Sequence, residues 1–188
     1  MLFRSFTMTG FDPLTWKPNY PNPAFLEMTP QDAYWGAKRV MSFSNEDIRV
    51  VVEQGQFSNP AVTDYITKIL IARRDLVGKA WFSQVAPLEN FVVTDGKLRF
   101  TDLGQKYGVL SASIYSYSWF SFDNRSGSKS PVAAVSSDSV PEALASSSEG
   151  SFMGCTLTDT KQTHRTVTVV FRREGSQWKL VGIERTSS

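Results

Sequence analysis

Pro87 divides this chain by the period of its apolar residues. Before it, apolar side chains recur at i, i+3, i+4 and i+7, the spacing of one helix face; after it they alternate or come in short runs, the spacing of strands. Two periods kept apart in this way predict an α+β protein: an N-terminal helical hairpin or three-helix segment, packed with a C-terminal antiparallel β-sandwich. The expected divisions are an extended arm over 1–28, a helical segment over 29–87 and a sandwich over 88–188.

Three helix starts are written before Pro87. Thr29-Pro30-Gln31-Asp32 offers a capping hydroxyl, a proline suited to the first helical position and an acid, Asp32, at the positive end of the helix dipole. Ser44-Asn45-Glu46-Asp47 repeats the pattern, with Gly55 as the stop, and Asn59-Pro60 opens the third helix. That helix is the longest. Val62, Tyr65, Ile66, Ile69, Leu70, Leu76, Val77, Ala80 and Trp81 form its stripe, and Gly78 is its one weak point, worth about 1 kcal/mol against Ala. Arg73 falls on that stripe. A guanidinium keeps its charge, so Arg73 is expected to be at least half buried. It should make two or more hydrogen bonds, to Asp32, Glu46 or Asp47 or to carbonyls at a helix end, while Arg74 should be more exposed. Arg73, Asp32 and Trp81 are the expected structural residues of this segment.

The segment ahead of these helices, FDPLTWKPNYPNPAFLEMTP over 11–30, holds five prolines, which argue against a regular helix or a central strand. It also holds Phe11, Leu14, Trp16, Tyr20, Phe25 and Leu26, more apolar weight than a linker needs. The expectation is an arm lying on a surface, either of this chain or of a preceding domain.

Beyond Pro87, Phe91-Val92-Val93, Asp95-Gly96, Leu98 and Phe100 read as a hairpin, because Asp-Gly accepts the positive φ angles of a two-residue turn. Residues 109–122, VLSASIYSYSWFSF, alternate serine with large apolar residues and predict a long half-buried strand with one polar face. Val132 to Val135 reads as a short strand and the Ser-rich 136–151 as a mobile loop. Strands follow at 152–157, 165–173 and 177–185, the last two joined across Glu174-Gly175-Ser176.

The composition excludes several chemistries. Twenty basic residues against 18 acidic ones leave a net charge of +2 without a basic half, so no nucleic-acid footprint is expected. One Cys and one His fall short of a zinc site, and no calcium-loop pattern occurs, so neither a metal nor another cofactor is expected. No apolar run of about 18 residues spans a membrane, and the first residues lack the form of a signal peptide. His164, with Asp159 five residues before it and many serines nearby, lacks the G-x-S-x-G elbow of a Ser-His-Asp hydrolase and reads as a turn residue. Cys155, in a strand and without a cationic flank, reads as a small buried hydrophobe. No catalytic residue is assigned. Tyr115, Tyr117 and Trp119 share one side of their strand, the arrangement of an aromatic face that stacks on sugar rings. One face of that strand is core; the other is either such a binding face or is covered by the helices, and covering is favoured.

With the motifs placed, a resemblance extends over nearly the whole chain in order. WKPNYPNPAFLEM (16–28), DAYWGAKRVMSFSNEDIRVVVEQGQFSNPAVTDYITKILIARRD (32–75), WFSQVAPLENF (81–91), FDNRSG (122–127) and VTVVFRREGSQWKLVGIER (167–185) resemble segments of large exported bacterial proteins of unknown function. The resemblance implies that the chain is the carboxy-terminal portion of such a protein, behind a region resembling a protein-kinase-like or phosphotransferase fold, and that it is exported. It supplies no substrate, cofactor or catalytic residue. The expected function is a non-catalytic accessory or interaction module whose partner is the missing N-terminal domain or another protein. The alternative is a carbohydrate-binding sandwich using the aromatic strand face.

Overall fold

The computed structural model describes residues 6–20, 22–132 and 137–186, and they form an α+β protein. In chain order the elements are α1 (Pro23–Leu26), α2 (Pro30–Met41), α3 (Asn45–Glu53), α4 (Pro60–Phe82), β1 (Leu88–Thr94), β2 (Lys97–Asp102), α5 (Leu103–Lys106), β3 (Tyr115–Phe122), β4 (Lys129–Pro131), α6 (Glu142–Ala145), β5 (Phe152–Asp159), β6 (Thr166–Glu174) and β7 (Gln177–Thr186). They fall into two compact units. A helical unit runs to Gln84 and takes in Tyr107–Leu110; a β unit comprises Val85–Lys106 and the chain from Ser111 onward. The division thus falls three residues earlier than the Pro87 boundary, and Ala86 already belongs to the core of the β unit. Tyr107 belongs to the helical unit, where its ring lies 6.3 Å from that of Phe82.

The helix starts form as their residues dictate. Thr29 caps α2 and Ser44 caps α3, each in a reciprocal box: the hydroxyl accepts from the amide three residues on, and the acid there, Asp32 or Asp47, accepts from the cap's own N–H. These bonds hold both carboxyls below their usual range, the cap hydroxyl contributing most. The Asn59 side chain caps α4 by accepting from Ala61 N. Ala33, Tyr34, Ala37 and Met41 of α2 are buried, as are Val52 of α3 and Ile69, Gly78 and Phe82 of α4. Tyr34 meets Phe82 edge to face, ring centroids 5.6 Å apart. Gly78 suits this crossing, since a Cβ on it would force the Met41 thioether to shift. One element corrects the reading of the arm. Pro23 sits in the first turn behind an Asn22 cap, and one turn of helix, α1, forms inside the proline-rich segment.

The β unit is an unequal sandwich. One sheet has the order β4-β3-β5-β6-β7, antiparallel throughout; the other is the β1–β2 hairpin, turning at Asp95 and Gly96 with φ of 52° and 69°. Between them lies one core. The hairpin contributes Leu88, Phe91 and Leu98, and the large sheet contributes Tyr115, Trp119, Met153, Cys155, Leu157, Val167, Val169, Phe171 and Trp178. Arg185 of β7 ties the layers, donating to Leu88 O at 2.6 Å and to Glu89 Oε1 at 2.8 Å. The outward face of the large sheet is polar at one end and carries Phe120, Phe122, Phe152 and Val170 at the other. The register aligns Ser116, Thr158 and Thr166 in one row and Ser118, Thr156 and Thr168 in the next.

Three strand expectations change. The alternating 109–122 stretch is a strand only over Tyr115–Phe122, and Ile114 is exposed. The short strand is β4, Lys129–Pro131; of the expected 132–135, residues 133–135 lie outside the described residues. The Ser-rich stretch, expected as a loop, holds a turn of helix, α6, and makes backbone hydrogen bonds where described. Leu98 N donates to Asp138 O and Val140 N to Gly96 O, both at 2.8 Å, and Leu144 of α6 enters the core. Farther on, Arg173 N donates to Ser151 O, and Gly150 N returns a bond to Arg173 O. Serine does not by itself make a mobile loop when the backbone finds partners.

Candidate interaction site

Exposed apolar surface is divided unevenly between the units. Of the 17 large apolar side chains left exposed among the described residues, 13 belong to the helical unit; the other four are Val92, Ile114, Val181 and Ile183. Scattered exposed hydrophobes are ordinary, but a concentration of this kind marks a contact surface.

The concentration has shape. Pro13, Leu14, Trp16, Pro18, Phe25 and Leu26 of the arm and of α1 form one wall of a groove of about 680 Å³. Ala33, Gly36 and Ala37 of α2 with Val77 and Trp81 of α4 also line it, and Lys17, Met28, Asp32 and Trp35 complete the lining. Small residues at 33, 36 and 37 leave the space open: a Cβ built on Gly36 meets nothing within 4 Å. Trp16 and Phe25 stand edge to face at 6.1 Å, and the Arg39 guanidinium lies 5.1 Å from the Trp35 ring. A second apolar depression, of about 360 Å³, lies among Val40, Phe43, Ile48, Val51, Leu70 and Val77.

The arm is held by Arg73. Its guanidinium carbon lies 4.8 Å from the centres of both the Phe6 and the Phe11 rings, and Nη2 donates to Thr7 O at 2.6 Å. Tyr65 OH adds a bond to Phe6 O at 3.1 Å. Arg73 is partly buried, but its partners differ from the acids expected. Asp32 and Asp47 are committed to their own helix caps, and one hydrogen bond forms where two or more were expected; Nε is buried without a hydrogen-bond partner. Aromatic faces supply the acceptor that carboxylates were expected to supply. Arg74 is partly buried as well. Its side chain keeps only 13% of its exposure, donates to Phe43 O at 2.8 Å and pairs with Asp75. Phe43 O lies in the turn after α2, so Arg74 binds a carbonyl beyond a helix end, the kind of partner expected at 73, whereas the carbonyl Arg73 binds is in the arm. Trp81 is half-buried in the groove wall rather than locked in the helix contact.

The aromatic strand face is corrected as a binding site. Tyr115 and Trp119 are buried and Tyr117 is half-buried against the same core. Tyr115 OH donates to Asp102 Oδ2 at 3.3 Å and Trp119 Nε1 to Ser137 O at 3.2 Å. Burial, with the Asp102 charge beside it, pushes the Tyr115 phenol well above its usual range. The cover comes from within the β unit, from the β1–β2 hairpin and the 137–145 segment.

No hydrogen bond joins the groups weighed for catalysis among the described residues. His164 is exposed in the β5–β6 turn, and Asp159 is sealed beneath that turn with Arg165. Cys155 is fully buried, and burial pushes its thiol up to about 12. No group of three or more His, Cys, Asp or Glu could hold a metal ion among the described residues, and no helix there is long and apolar enough to cross a membrane. Sequence reasoning saw the arm's apolar weight but not the groove, which needs Trp35 and Gly36 of α2 to face the arm. No family model, no curated protein and no solved structure matches this chain.

Proposed function

We propose that this chain is a non-catalytic accessory module that works by contact, the carboxy-terminal part of a larger exported bacterial protein, with its helical unit as the docking side. The observation that carries the reading is the apolar surface gathered on one unit, with two depressions open in it. A stable domain working alone gains nothing from holding Trp16, Trp35, Phe43 and Val51 in water, since each exposed apolar side chain forgoes roughly 1.5–3 kcal/mol of burial. The arm is anchored at Arg73 through Phe6 and Phe11 and leaves Trp16, Tyr20 and Phe25 exposed, which favours presentation to a partner. The resemblance to segments behind a kinase-like region supports a role as one part of a larger assembly.

Binding of a hydrophobic fluorescent dye tests the reading. The isolated chain is expected to bind it in the native state, and Phe43→Ser with Val51→Ser is expected to remove most of the signal from the second depression while the helical circular dichroism stays intact. A native chain that binds no dye and remains monodisperse at high concentration would refute the accessory role.

A further inference from the structure

We propose that the cleft of the β unit between the β1–β2 turn and the β6–β7 turn is a binding site for a small organic monocarboxylate, with Arg173 holding the carboxylate and a valine wall its apolar body. The site belongs to the β unit alone and stands independently of the contact-module reading.

Strand parity places Arg173 there. Val167, Val169 and Phe171 of β6 fill the core, and Arg173 follows on the same side of the strand. Its guanidinium carbon lies 5.2 Å from the centre of the Trp178 ring. A ring face holds a guanidinium in place but supplies no oxygen for its N–H donors. No acid supplies one either. Glu174 falls on the opposite face and pairs with Arg172 and Lys179, and the Arg173 side chain makes no hydrogen bond or ion pair among the described residues. Arg39 and Arg125 also lack such a partner, but both are exposed, whereas Arg173 is half-buried in the lining of a cleft. That cleft encloses about 430 Å³, within the roughly 300–1,000 Å³ of small-molecule sites. Val92, Val93 and Val140 give it an apolar wall beside the Trp178 ring. Its frame is tied together, since Val140 N donates to Gly96 O at 2.8 Å. Asp95, the acid of the lining, limits the charge of the ligand: Arg173 can hold a single carboxylate, while a multiply charged anion would be repelled by Asp95.

Titration of phenylacetate and of hexanoate into the full chain near neutral pH, followed by saturation-transfer NMR, tests this, with phenylacetamide, hexanamide and inorganic phosphate titrated beside them. Each carboxylate is expected to bind in the millimolar range or tighter, and its amide and phosphate at least about tenfold more weakly. Arg173→Gln is expected to weaken the carboxylates at least about tenfold and to leave the amides unchanged. Val92→Glu, at a side chain 46% exposed, adds a second anion to the lining, should weaken the carboxylates likewise and serves if the Arg173 variant misfolds. Carboxylates that fail to bind at about 10 mM overturn the site. An amide or phosphate that binds as well as the carboxylates overturns the ligand class. Carboxylate binding unchanged in a folded Arg173→Gln chain, or in Val92→Glu, overturns the location.

Discussion

Arg165 donates through Nη2 to Asp159 Oδ2 at 2.6 Å, and both side chains are almost wholly withdrawn from solvent. Asp159 also accepts from Ser113 Oγ at 3.0 Å and from the amides of Lys161 and Gln162, so one carboxylate organises the β5–β6 turn and ties it to the approach to β3. Burial raises this carboxyl's pKa, but the Lys161 amide, the Ser113 hydroxyl, Arg165 and the Gln162 amide outweigh it and hold the pKa below the usual range. Asp159→Ala would strand the Arg165 charge and is expected to cost about 3–5 kcal/mol. The folded pKa lies below the unfolded value of about 3.9. The stabilisation is therefore complete above that value and lost as pH falls through the folded one. Urea midpoints followed by tryptophan fluorescence at pH 7 and pH 3 check both statements; Asp159→Asn should flatten the acid-side loss.

The two neighbouring arginines should fail differently. Arg74→Ala removes a bond to Phe43 O that joins α4 to the α2–α3 turn, and is expected to lower global stability by about 1–3 kcal/mol. Arg73→Ala frees the arm and should cost under about 2 kcal/mol, since cation–π contacts are of that size and its Nε is already unpaired. Its signature is local: amide hydrogen exchange should accelerate over 6–15 while the α4 core stays protected.

Two glycines in regular structure should respond with opposite sign. A Cβ on Gly154 would collide with the Phe120 ring that lies across the sheet, so Gly154→Ala is expected to destabilise by about 1–3 kcal/mol. Gly36 faces open space within α2, and Gly36→Ala is expected to stabilise by about 0.5–1 kcal/mol through helix propensity. Thermal unfolding of the two variants beside the parent reads both.

Cys155 should be chemically silent while the chain is folded. With its thiol pushed up to about 12 by burial, almost no thiolate exists at pH 8. A disulfide-exchange thiol reagent should label one site promptly in denaturant and label the native protein only at the rate of unfolding. Prompt native labelling would show that the sheet core opens there.

The helices were legible because their signals are local. A capping hydroxyl reads an amide three residues away, and Thr29, Ser44 and Asn59 open helices whatever packs on them. The Asp95-Gly96 hairpin and the turn at 174–176 were legible for the same reason. The candidate site was legible only as apolar weight in the arm. Its groove depends on which side of α2 the arm reaches, a long-range matter that no local pattern encodes.

The amino-acid sequence alone determined where the period changes, which residues start each helix and which strand faces alternate, since each follows from steric and hydrogen-bonding preferences over a few residues. The tertiary structure decided the rest. It set the Phe6 and Phe11 rings, not carboxylates, around Arg73, while Asp32 and Asp47, two of the expected partners, are held by helix caps. It made Tyr115 and Trp119 core, because the hairpin folded over the face that sugars would have needed. It also gave Gly78 a purpose that helix propensity counts only as a cost: α2 and α4 approach closely there, and the Met41 side chain occupies the space a Cβ would take.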